Sequence, residues 1–202
     1  MLDRHITPLI KPAVESLARG LSRLGLRADQ VTLLSFGVGL FAAISIALQA
    51  YFAGAILILL SRLLDALDGA VARQTQATDA GGYLDITLDF LFYACIPLAF
   101  AIANPSNNAL PAAVLLAAFI GTGSSFLAFA ALAQKRGISS VAYPGKSFYF
   151  LGGLAEATET LTCFILMCLF PQWFSVLAYS FAAICAITVA TRIVGGYLTL
   201  KK

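Results

Sequence analysis

Apolar residues at Ile6, Leu9, Ile10, Ala13, Val14, Leu17, Ala18, Leu21 and Leu24 recur at helical spacing, with Lys11, Glu15, Arg19 and Arg23 on the opposite face. The pattern predicts an amphipathic helix that lies in a membrane surface or covers a helix bundle, with Pro8 and Pro12 shaping its first turn. Beyond it the polar face disappears. Val31 to Leu60 carries no charge at all, yet one membrane span needs only about 20 apolar residues, so the chain must reverse near Gln49, Tyr51 and Gly54. Two helices are expected there, Asp29 to Leu48 and Phe52 to Gln74. Four more runs follow: Gly81 to Ala103, Leu110 to Gln134, Phe148 to Leu169 and Trp173 to Leu198. They are separated by the polar turn Asn104 to Asn108, the loop Lys135 to Ser147, and Pro171. The expected fold is all-α, one domain over 1–202. An interfacial helix (1–27) precedes a polytopic bundle of six transmembrane helices (28–202).

Composition supports a membrane protein. Of 202 residues, 60% are hydrophobic and 11% charged, with a mean hydropathy of +0.88, far from a soluble globular domain. Six spans leave no room for a separate extramembrane catalytic module. A net charge of +3 gives no reason to expect nucleic-acid binding. Cys95, Cys163, Cys168 and Cys185 lie in apolar runs without zinc or redox spacing and read as small core residues. The first 25 residues carry charges throughout and lack the apolar core of a cleaved signal peptide. Lysines and arginines flank the N-terminus, the Arg73 turn, the Lys135 loop and the C-terminal Lys201 and Lys202, whereas the turns near Gln49, Asn104 and Gln172 have none. The bias places both termini on the cytoplasmic side of a bacterial-type inner membrane.

Against this background Asp65, Asp68, Asp85 and Asp89 demand an explanation, because an ionised group inside an apolar segment is costly unless paired, coordinated or facing water. Asp65 and Asp68 are three apart and Asp85 and Asp89 four apart, so each pair shares one helix face. Asp65 precedes Arg73 by eight residues and Asp89 follows Gly81 by eight, each about 12 Å along its helix at about 1.5 Å per residue. The four carboxylates can therefore form two levels of one pocket open to the cytoplasm. Arg62 and Arg73 neutralise two of them at most, and two divalent cations would bring the pocket to about +2, suited to a diphosphate. Oxygen-only ligands favour Mg2+, Mn2+ or Ca2+ over zinc, and two-metal phosphoryl transfer is the chemistry suggested. Gly69, Ala70, Ala72, Ala80, Gly81 and Gly82 leave space for a nucleotide, or serve close helix packing.

The run Asp65-Ala-Leu-Asp68-Gly69-Ala-Val-Ala72-Arg73, then seven residues to Gly81, three to Asp85 and three to Asp89, resembles the signature of the CDP-alcohol phosphotransferases. Every specified position is filled across 25 residues. The six-helix layout and the preceding surface helix also fit. Upstream, Arg27-Ala28-Asp29-Gln30-Val31-Thr32 is similar to the start of that family's first span, with Ala28 where a proline is usual; Asp29 caps the helix there, or Thr32 approaches the nucleotide.

The resemblance implies that Asp65, Asp68 and Asp85 bind the metal pair, and that Asp89 completes the metal site and acts as general base on the acceptor hydroxyl. It implies that Gly69, Ala72, Gly81 and Thr32 accommodate the nucleotide while Arg73 contacts the diphosphate. The implied substrates are CDP-diacylglycerol and a small polar alcohol such as glycerol 3-phosphate or an inositol phosphate, with CMP released, and the implied assembly is a homodimer among membrane lipids.

Candidates for holding an acceptor phosphate are Lys135, Arg136, Lys146 and Arg192. Arg192 can alternatively snorkel, and the loop basics can be orientation signals. Glu156 and Glu159 can pair with Arg192 or bind a hydroxyl-rich or cationic acceptor. Ala113, Ala117, Gly121 and Ser125 form a small-residue stripe for a dimer face or internal packing, and His5 reads as a surface residue. Two other functions remain open: head-group transfer from a soluble CDP-alcohol to diacylglycerol, and divalent-cation transport. Transport would call for paired broken helices or repeated halves, which the sequence lacks.

Overall fold

A computed structural model describes residues 3–138 and 153–201. Lys146, the beginning of the predicted Phe148 to Leu169 helix and most of the Lys135 to Ser147 loop lie outside the described residues. The helices are α1 (Asp3–Arg23), α2 (Ala28–Ala47), α3 (Tyr51–Gln74), α4 (Asp79–Ala103), α5 (Pro105–Lys135), α6 (Ala157–Leu169) and α7 (Phe174–Lys201), with one turn of 3-10 helix at Pro171–Trp173 before α7. Among the described residues the fold is all-α.

Among the described residues four helices are long and apolar enough to cross a membrane: α2, α4, α5, and Pro171–Lys201. α3 has the length, but Arg62, Asp65 and Asp68 interrupt its apolar character. α6 is apolar and has only 13 residues. The apolar surface of these helices faces outward, as Phe41, Phe52, Ile120, Val176 and Ile187 illustrate.

Two expected boundaries differ from the structure. The polar turn Asn104 to Asn108 shrinks to Asn104, because Pro105 takes the first helical position, where its missing N–H is not needed. Asn108 then turns inward and its Nδ2 donates to the Phe100 carbonyl at 3.0 Å. α6 begins at Ala157, well after Phe148. The backbone N–H groups of Leu154 and Ala155 donate to Thr188 Oγ1 on α7 at 3.1 and 3.0 Å, so residues 153–156 form a turn seated on α7.

α1 uses part of its apolar face. Val14 and Ala18 are buried with Leu67, Ala70 and Val71 of α3, and Leu21 packs at their edge. Leu17 and Leu24 point outward, 53% and 78% exposed. Gln74 Nε2 donates to the Glu15 carbonyl at 3.2 Å, tying α1 to the end of α3.

α2, α3 and α4 approach closely through small and hydroxyl residues. Ser35 Oγ donates to the Ser61 carbonyl at 2.8 Å and Ser61 Oγ returns to the Ser35 carbonyl at 2.9 Å, a reciprocal clamp buried between α2 and α3. A Cβ on Gly39 would meet Phe92 Cδ2 of α4 at 2.6 Å and Ser61 Oγ at 3.1 Å. Interhelical contacts of this kind hold helices where burial from water supplies no drive. At the far end Phe100 stacks on Phe174 at 4.7 Å and on Tyr51 at 5.6 Å, and Phe164 meets Phe92, Tyr93 and Phe119 edge-on or tilted. Cys163, Cys168 and Cys185 are buried in this core as free thiols.

The packing sets two expectations. Gly39→Val should cost about 1–3 kcal/mol by overpacking against Phe92. Gly20→Ala, a helical position with open space around it, should gain about 0.5–1 kcal/mol. Thermal unfolding of the detergent-solubilised protein separates the two by the sign of the shift in Tm.

Candidate functional site

The α3–α4 hairpin brings the four aspartates together. Asp65, Asp68 and Asp85 each present a carboxylate oxygen, and the three oxygens lie within 4.8 Å of one another. Asp68 is the most enclosed, 4% exposed. Thr32 of α2 lies within hydrogen-bonding reach of its carboxylate, and Thr32 Oγ1 also donates to the Ala28 carbonyl at 3.1 Å. Asp68 Oδ2 is buried without a hydrogen-bond partner among the described residues. A carboxylate oxygen in that condition suits a cation, and three oxygen donors this close suit a hard divalent ion.

Asp89, beside this trio, is engaged by an arginine. Its Oδ1 is 2.5 Å from Arg62 Nη1, which is also 3.5 Å from Asp65 Oδ1. The guanidinium carbon of Arg62 lies 3.9 Å from the centre of the Phe92 ring. Arg62 was foreseeable as a neutralising charge, three residues before Asp65 on one helix face. Its bridge to Asp89 joins two helices and has no signal in local spacing.

The mouth of the chamber is built from helix ends. Thr78 precedes α4, and its Oγ1 accepts from the Gly81 N–H at 3.0 Å, an N-cap bond. A Cβ on Gly81 would stand 2.8 Å from Asp29 Oδ1 and 3.1 Å from Thr78 Oγ1, so the glycine admits the Asp29 carboxylate to the first turn of α4. The expectation that Asp29 caps its own helix is corrected by this placement. α2 starts after Arg27, whose N–H donates to Gln30 Oε1 at 3.0 Å, leaving Asp29 free to lean toward α4. Across the hairpin a Cβ on Gly69 would meet Arg73 Nη1 at 3.4 Å. Arg73 and Ala72 thus sit at the rim beside Gly69, one turn above Asp68.

The acceptor candidates divide. Lys135 is exposed in the last turn of α5. Arg136 Nη1 donates to the Leu200 carbonyl, joining the ends of α5 and α7. Arg192 does not snorkel: it is 8% exposed, its Nη1 donates to the Thr122 carbonyl of α5 at 3.2 Å, and Phe126 lies 5.8 Å away. Glu156 interacts electrostatically with Arg192, and its Oε1 accepts from the Gly153 N–H at 3.2 Å. Of the small-residue stripe, Ala113 and Ala117 face outward, while a Cβ on Gly121 would meet Val189 of α7 at 3.1 Å.

With this geometry in view, three kinds of likeness bear on the chain. A family profile described as CDP-alcohol phosphatidyltransferase matches residues 26–194. The chain is 55% identical over 201 residues to the inner membrane protein YnjF of Escherichia coli, covering 100% of this chain and 98% of that one. It is 36% identical over 100 residues to an archaetidylinositol phosphate synthase of Pyrococcus horikoshii, 49% of this chain and 53% of that one. The fold is shared with crystal structures of the Mycobacterium tuberculosis phosphatidylinositol phosphate synthase at 24% identity. The structure with CDP-DAG bound has a TM-score of 0.68, covering 91% of this chain and 93% of that one. The structure in complex with manganese and citrate has a TM-score of 0.71, covering 91% and 88%.

Thr78→Ala should remove the N-cap bond of α4 and cost about 1 kcal/mol. The measurement is the Tm of the purified protein, with hydrogen exchange at residues 79–82 reporting a frayed first turn.

Proposed function

Because the chain belongs to the CDP-alcohol phosphatidyltransferase family and is a phosphotransferase of phospholipid synthesis, we propose that its aspartate chamber moves a phosphatidyl group from CDP-diacylglycerol to a small phosphorylated polyol. The observation that carries this reading is the convergence of Asp65, Asp68 and Asp85 within 4.8 Å, beside an Asp89 held by an arginine from the facing helix.

In this reading Asp65, Asp68 and Asp85 hold two divalent cations, Mg2+ or Mn2+, with Asp89 at the edge of the site. Bound cations supply positive charge against the diphosphate and the charge that develops on its oxygens. The chain's own groups do the rest. Gly69, Ala72, Gly81 and Thr32 leave room for the cytidine along the seam between α2, α3 and α4, and Arg73 at the rim meets the diphosphate. Asp89 takes the proton of the acceptor hydroxyl. The hydroxyl oxygen bonds to the phosphorus distal to cytidine, the bond from that phosphorus to the bridging oxygen breaks, and CMP leaves with the electron pair.

The acceptor is assigned to the side of the chamber nearest α5 and α7. Arg192, with Lys135, Arg136 and Lys146, is proposed to bind its phosphate, and an inositol phosphate is the member of this class favoured by the relatives' names. Arg136 contributes in part through its bond to the end of α7.

The whole chain 1–202 is proposed as one membrane domain. Residues 28–202 form six spans, α3 crossing despite its charges because they face the chamber. α1 lies in the interface, supported by the outward Leu17 and Leu24. The positive-inside bias assigns the termini and chamber mouth to the cytoplasm. A homodimer is proposed, with Ala113 and Ala117 available on the outer face of α5.

The decisive experiment supplies purified protein with CDP-diacylglycerol, Mg2+ or Mn2+ and a labelled panel of polyol phosphates, and identifies lipid products by mass spectrometry. CMP release with a phosphatidyl polyol phosphate is expected. Head-group transfer from a soluble CDP-alcohol to diacylglycerol would overturn the donor assignment. Asp89→Asn should lower kcat by about 100-fold or more while changing CDP-lipid binding only a few-fold; unchanged turnover refutes the base. Arg192→Ala should raise the acceptor KM by about tenfold and leave the CDP-diacylglycerol KM near its starting value.

A further inference from the structure

Arg62 sits within the chamber, not at its rim. Its side chain is 12% exposed. Nη1 reaches Asp89 at 2.5 Å and Asp65 at 3.5 Å, and Nη2 reaches Ser61 Oγ at 3.3 Å. The guanidinium carbon is 3.9 Å from the Phe92 ring centre and 5.8 Å from that of Tyr93. Groups on both α3 and α4 therefore fix one guanidinium, and a guanidinium does not give up its charge. This permanent unit of positive charge splits the acids. Asp65, Asp68 and Asp85 keep oxygens facing one another, whereas Asp89 is bound to Arg62 and Asp65 lies between the two groups.

We infer that Arg62 is a resident counter-cation and positioning residue, engaging Asp89 beside the three-carboxylate group and limiting how tightly the chamber binds divalent ions. The inference rests on the chamber being a cation site, as proposed above, and adds a role for a residue outside the metal and nucleotide sets. The physical reason is Coulombic. A divalent ion among Asp65, Asp68 and Asp85 is repelled by a fixed positive charge that contacts one of those ligands directly. Without that charge Asp89 is also released to join the ion's surroundings. In a partly dehydrated chamber both changes act in one direction and should exceed about a tenfold change in affinity. A purely structural Arg62 predicts the opposite, because its loss would loosen α3 against α4 and scatter the ligands.

The test is Mn2+ binding, followed by the electron paramagnetic resonance signal of the free ion, to full-length protein in detergent with the metal alone. Arg62→Met should tighten Mn2+ binding by about tenfold or more, and Arg62→Lys, which keeps the charge, should stay within about threefold of the starting protein. Asp89→Asn should weaken binding, since Arg62 is then left facing Asp65. Equal or weaker binding in Arg62→Met overturns the inference, and so does unchanged binding in Asp89→Asn, which decides the matter if Arg62→Met fails to fold. Asp68→Asn separates this failure from that of the underlying reading. If it binds Mn2+ as well as the starting protein, the cation site itself falls, and the inference with it.

Discussion

Four carboxylates placed on two adjacent apolar helices must be matched by positive charge, and the rest of this structure is arranged around that requirement. The match already present comes from Arg62, within reach of both Asp65 and Asp89. Asp65, Asp68 and Asp85 still converge, Arg62 meeting Asp65 among them, with Asp68 Oδ2 unpartnered among the described residues. Acids brought this close in a low-dielectric setting repel one another unless a cation is drawn in. The converging acids would therefore hold a divalent cation, which would supply the positive charge they lack.

Holding the acids in place falls to the close packing of α2, α3 and α4. The Ser35–Ser61 exchange of hydrogen bonds and the approach of Phe92 to Gly39 set the separation of the helices. Phe92 serves both purposes, packing on the Gly39 backbone with one edge and lying under the Arg62 guanidinium with its face. Rigid support of this kind suits a site whose side chains must keep fixed positions. The rim is made differently, from helix ends: Thr78 caps α4, Asp29 leans over Gly81, and Arg73 rests beside Gly69.

The α5–α7 side has its own polar interior. Arg192 is buried against the Thr122 carbonyl and interacts with Glu156, while Thr188 takes two backbone N–H groups from the turn before α6. A buried arginine joined to a carboxylate and a backbone carbonyl stabilises the junction of three helices.

The sequence alone determined that the chain is helical and membrane-embedded, and it singled out Asp65, Asp68, Asp85 and Asp89 as candidates for its chemistry. Uninterrupted apolar runs, charges at helical spacing and the filled 25-residue signature are local properties, readable because helix geometry maps spacing onto faces. Helix ends set by local polar residues were legible for the same reason, within a few positions. Only the tertiary structure decided which acids converge, that Asp89 belongs with Arg62, that Asp29 serves α4 instead of its own helix, and that Arg192 turns inward to Thr122. Each of those pairings joins residues on different helices, and side chains choose among such partners only once the packing of backbones has set the distances between them. The late start of α6 has the same cause: Thr188, more than 30 residues away, takes the N–H groups that local spacing would have assigned to helix.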